Sequence, residues 1–138
     1  MKKSKLVINY DYDFELVGVT SSAKSYKLAW EFNQQLGIHL IKQPDLVVGF
    51  KNAEKYFSYY AHETQLNRLK LFKNKPNEEI GKYFLIPEFP HFDFIILSQL
   101  EEHISKHNLI ALIKGIASVQ LASNIPLEGL KSKSNFVF

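Results

Sequence analysis

Cysteine is absent from the 138 residues, which excludes disulfides, thiolate metal sites and cysteine nucleophiles. Glycine is scarce, and the six glycines are dispersed. No Gly-rich loop is therefore present to cradle a phosphate, and no G-x-S-x-G elbow presents a serine nucleophile. No apolar run approaches the roughly 20 residues of a membrane span. The opening stretch MKKSKLVINYDYDFELV is basic, but Asn9, Asp11 and Asp13 interrupt any signal-peptide core. A cytoplasmic location without membrane contact is expected. RNP, helix-turn-helix, KH and zinc-finger patterns are also missing.

What is present is apolar and aromatic. Hydrophobic residues make up 46% of the chain and aromatics 14%, enough to argue against disorder. The aromatics are mostly Phe and Tyr, which favours strands over a helical bundle. One domain spanning 1–138 is expected from the length. A net charge of only +3 suits a polyanionic partner without requiring one.

The chain is organised around YFLIPEFPHFDFIILS, residues 83–98. Two apolar runs, 83–86 and 92–97, flank Pro87 and Pro90, and proline is awkward inside a central strand. The pattern predicts two strands joined by a loop at 87–91. Phe92, Phe94 and Ile96 should point one way and Asp93, Ile95 and Leu97 the other, as in a strand covered on both faces.

Along the rest of the chain, 5–10 and 14–19 read as strands. Ser21 and Ser22 offer N-caps for a helix over 23–36, and Gly37 offers its stop. Ala23, Tyr26, Ala29, Trp30, Asn33 and Leu36 recur at helical spacing, so Trp30 is expected to anchor the helix to the sheet. Segments 38–41 and 46–50 look like strands around a turn at 43–45. Segments 56–62 and 67–73 suggest a hairpin, with Leu69 and Leu71 opposing Arg68 and Lys70. A second helix is predicted over 99–114, ended by Gly115. A last strand follows over 117–125, with Val119 and Leu121 alternating against Gln120 and Ala122. This order predicts an α+β fold, a mostly antiparallel sheet with two helices packed on one face.

Several groups bear chemistry. Glu88, His91 and Asp93 could ligate a metal or share proton transfer. The favoured reading is structural, with Glu88 and His91 on a solvated turn and Asp93 bonded to amides of 87–91 or to a neighbouring cation. Asp93 lies among Phe92, Phe94 and Ile95, where burial without a partner is costly. His103 and His107 share a helical face, but two ligands do not suffice for zinc. Asp11, Asp13 and Glu15 would lie on one face of an extended chain, without EF-hand spacing. Arg68, Lys70, Lys73, Lys75 and Lys82, with Tyr56, Tyr59 and Tyr60, could form a basic surface with stacking platforms for nucleic acid. The tail LKSKSNFVF ends in Phe136, Val137 and Phe138, which either fold back or form the interface of a homodimer.

The segment Ile86-Pro87-Glu88-Phe89-Pro90-His91-Phe92-Asp93-Phe94 resembles the signature of the IPExxxDY family of small bacterial proteins. Segments 10–19, 26–36 and 130–138 (YDYDFELVGV, YKLAWEFNQQL and LKSKSNFVF) extend the likeness over most of the chain. Four residues separate Glu88 from Asp93, and Phe94 stands where the family name has tyrosine. The resemblance implies a bacterial single-domain protein and brings no activity, cofactor or catalytic residue. The sequence thus points to an interaction or regulatory module whose partner is another protein or a second copy. The alternatives are a ligand-binding protein or enzyme using Glu88, His91 and Asp93, and a nucleic-acid binder using the basic 68–82 region.

Overall fold

The computed structural model describes residues 14–51, 53–65, 67–77, 83–100 and 106–138. Apolar side chains on both faces make Phe94–Leu100 an interior strand, and the architecture follows from covering both of those faces. The elements run β1 (Glu15–Thr20), α1 (Ser25–Leu36), β2 (Ile41–Lys42), β3 (Leu46–Phe50), β4 (Ala53–Phe57), β5 (Tyr59–Glu63), β6 (Asn67–Lys73), β7 (Phe94–Leu100), α2 (Lys106–Lys114) and β8 (Leu121–Ile125). A 3₁₀ segment, Lys131–Phe136, closes the chain. A six-stranded sheet has the order β2-β5-β6-β7-β1-β8, and β3 and β4 form a separate pair. All pairings are antiparallel. The fold is α+β, as predicted.

Alternation along the strands builds two cores. Val17, Val19, Leu69, Leu71, Phe94 and Ile96 pack with Leu28, Ala29 and Phe32 of α1 and Leu109 and Ile113 of α2. Both helices therefore cover one face. Leu16, Phe72, Ile95 and Leu97 line the other face, which is covered by Val48, Phe57, Leu85, Ile86, Phe92, Leu130 and Phe136. Fully burying an aliphatic or aromatic side chain contributes about 1.5–3 kcal/mol, so the two layers supply the bulk of the folding free energy.

Several expectations are corrected. Residues 83–86 form no strand. Instead Asn74, fully buried, takes the Leu85 amide on its backbone oxygen (2.8 Å) and the Ile86 amide on Oδ1 (2.8 Å). Its Nδ2 donates to the carbonyls of Phe89 and Phe92. A side chain here replaces the ladder partner that the prolines cannot provide. Phe92 precedes β7 and faces away from Phe94. Its ring lies directly on the backbone of Gly18 in β1, where any Cβ would collide with it.

Helix α1 begins at Ser25, with Lys24 at the N-cap and no side-chain cap. The Ser21 hydroxyl accepts the Ala23 amide in the preceding turn instead. Gly37 ends the helix at φ 66°, in the left-handed region, as predicted. Trp30 is 61% exposed and does not touch the sheet core; Leu28, Ala29 and Phe32 are the buried residues. The expected 56–62 strand breaks at Ser58, because Tyr56 and Phe57 pair with β3 and Tyr59 onward pairs with β6. Likewise β2 and β3 do not pair with each other. Gln99 and Leu100 stay in β7, opposite Arg68 and Asn67, and α2 is described from Lys106. Strand β8 starts at Leu121 rather than 117; Leu121 is exposed, Ala122 packs into the helix-side core and Ile125 into the opposite one. Register against β1 places Ala122 beside Val19 and fixes this phase.

Candidate functional site

The predicted trio does not meet at one point. Glu88 accepts the amides of Lys131 (2.9 Å) and Ser132 (3.2 Å) and the Ser132 hydroxyl (2.7 Å). It thereby caps the 3₁₀ segment, supplying an acceptor to amides that lack a partner at a helix start. Burial pushes its carboxyl up, but hydrogen bonds from the Ser132 hydroxyl, its own amide and those of Ser132 and Lys131 outweigh this, and the net shift is downward. Asp93 Oδ2 accepts the Ser21 amide at 2.9 Å, fastening the β1–α1 turn to β7 rather than bonding the 87–91 loop. His91 is exposed and lies against the Phe92 ring, 4.3 Å between centroids. Among the described residues no group of three His, Cys, Asp or Glu side chains is placed to hold a metal. Asp11, Asp13 and His103 lie outside the described residues.

The basic surface is divided. Arg68 lies 4.0 Å from Glu63 and bonds Gln99, while Lys70 lies 3.9 Å from Glu63. Lys70 is buried, with its ammonium 4.6 Å above the Phe138 ring. Burial pushes the Lys70 ammonium down, Glu63 counters in part, and Arg68 adds to the lowering. Lys73 is half-buried at the strand end, Lys75 is exposed, and Lys82 lies outside the described residues. The tyrosines face different ways. Tyr59 stacks on Phe72 at 4.9 Å, Tyr60 packs toward the helices, and Tyr56 is exposed on the small sheet. No platform of three rings results.

The tail folds back. Phe136 is buried, with ring contacts to Phe14 and Phe72. Phe138 edges Tyr59 and Phe72 while covering Lys70. Phe136 is therefore core of its own chain; Val137 and Phe138 keep exposed surface.

Two further exposed aromatics lie on α1. Tyr26 and Trp30, four residues apart and thus one turn apart on α1, are 65% and 61% exposed. They point away from Leu28 and Phe32 because the helix carries apolar stripes on two sides, and the sheet takes only one. Lys27 and Gln34 complete this outer face, both exposed. Beside Trp30 runs a shallow groove of about 300 Å³, lined by Trp30, Glu31, Gln34, Gln35 and residues 115–117 at the end of α2. Glu31 Oε1 is shut off from water and receives no hydrogen bond, a costly state for a carboxylate oxygen. Sequence periodicity marked this stripe as inward; its outward placement was not legible. A second depression of about 240 Å³ lies between the end of α1 and β5–β6, where His62 Nδ1 already accepts the His39 amide.

No helix among the described residues is long and apolar enough to cross a membrane. No protein-family model matches the chain, and no curated protein matches it either.

Proposed function

We propose that the protein is an interaction module that engages a protein partner through the outer face of α1. The observation that carries this reading is the placement of its only tryptophan, exposed beside Tyr26 and a groove. Tryptophan and tyrosine are the residues most often found at the energetic centre of protein interfaces. Large exposed aromatics set together mark such sites on otherwise polar surfaces. Glu88 and Asp93 are committed to backbone amides of separate segments, and Glu63 sits beside two of the basic residues. Both facts favour an interaction role over the ligand and nucleic-acid readings. The interface expected at the tail moves to α1, since Phe136 is withdrawn into the core.

The test is affinity capture with the native sequence and with a Tyr26→Ser, Trp30→Ser double variant. A defined partner should be held by the first and lost by the second at unchanged Tm. Equal retention by both would remove α1 from the interface.

A further inference from the structure

We infer that the occupant of this face is a second copy of the same chain, its α1 laid antiparallel across the first. The inference rests on the interaction reading above and adds the partner. Its ground is the self-complementary order of charge and ring along one side of α1 and its N-cap: Lys24, Tyr26, Lys27, Trp30 and Gln34 are exposed, and half-buried Glu31 lies at their edge.

A two-fold axis brings residue i of one helix opposite residue j of the other, and j opposite i. Lys27 and Glu31 lie four residues apart, as do Tyr26 and Trp30. The midpoints of these pairs fall one residue apart, about 1.5 Å along the helix. One axis at the level of Leu28 and Ala29 therefore serves both. It sets Tyr26 and Trp30 against Trp30 and Tyr26 of the second copy. It also sets Lys27 opposite Glu31 of the second copy, twice over, and Lys24 near Gln34. Antiparallel helices approach to 8–10 Å between axes, which leaves the four rings as the buried centre and the charges as the rim.

Within the chain Lys27 and Glu31 form no ion pair, although i,i+4 spacing permits one, and Glu31 Oε1 lacks a donor. Lysine preceding glutamate is the weaker order for a pair within one helix. In the two-fold arrangement Lys27 of the second copy faces the Glu31 carboxylate and supplies the charge partner that Lys27 does not supply within the chain. The groove beside Trp30, floored by Ile116 and Ala117, extends the apolar contact past the helices.

The experiment is a charge swap read by sedimentation equilibrium and by emission of the one tryptophan. The native chain should show a concentration-dependent dimer, with Trp30 emission moving to the red on dilution. Lys27→Glu alone places four carboxylates at the interface, and Glu31→Lys alone places four ammoniums. Each should weaken self-association by about tenfold or more. An equimolar mixture of the two variants restores both opposite-charge pairs and should recover association as a heterodimer. Circular dichroism of each variant checks the fold. A native chain that stays monomeric at high concentration overturns the inference, as does a mixture no more associated than its components. Either failure leaves the α1 interface itself to be judged by partner capture with the Tyr26→Ser, Trp30→Ser variant.

Discussion

Asn74 illustrates how much one side chain can organise. With no exposed surface, it makes three side-chain hydrogen bonds and two through its backbone, all to residues 85–93. Asn74→Ala strands the Ile86 amide and two carbonyls, so unfolding in urea should show a loss of about 3–5 kcal/mol. Asn74→Asp keeps the acceptor for Ile86 but turns a second oxygen toward two carbonyls, and should be no better tolerated. Glu88 acts at the other end of that loop. Its folded pKa lies below the ordinary value, so its contribution is complete above the unfolded glutamate value of about 4.3. That contribution is lost as the pH falls through the lower folded value. Glu88→Gln should flatten this acidic limb of the stability profile, measured as the urea midpoint against pH. An unchanged limb would mean that the cap of the 3₁₀ segment adds nothing.

At the scale of the element, α1 separates packing from recognition. Phe32 is fully buried among Leu28, Leu109 and Ile113, and Phe32→Ala should cost about 3–5 kcal/mol. Trp30→Ala, by contrast, should stay within about 0.5 kcal/mol, the usual range for exposed positions. Denaturant midpoints of the two variants test the assignment directly: equal losses would place Trp30 back in the core. The helix could have docked by either stripe. Leu28 and Phe32 won because they share one core with Val17, Leu69, Phe94 and Ile96 of the sheet, whereas helical spacing had pointed to Trp30. The same competition shaped β4 and β5, where one alternating stretch serves two sheets by breaking at Ser58.

For the molecule as a whole, the sheet is the middle of three layers, and the tail belongs to the third. Phe136 meets Phe14 and Phe72, residues that lie far apart in sequence. Phe136→Ala should therefore destabilise the whole fold by about 3–5 kcal/mol, read as a single cooperative shift in thermal unfolding. Val137→Ser should leave Tm nearly unchanged, since that side chain remains half in solvent. A fall in association without any loss of stability in Phe136→Ala would return the tail to the role of an interface.

The sequence by itself determined the α+β class, the two-faced strand at 94–97, the β5–β6 hairpin and the Gly37 stop. These depend on short-range alternation, turn chemistry and backbone freedom, all local quantities. Tertiary structure alone decided which stripe of α1 is buried and which phase β8 adopts. It also made the 83–93 stretch a loop hung on Asn74 and parted Glu88, His91 and Asp93. Those outcomes depend on partners from about 12 to more than 70 residues away, such as Asn74 for Ile86, Ser132 for Glu88 and Ser21 for Asp93. A hydrogen bond of that span leaves no periodic trace in the chain that makes it.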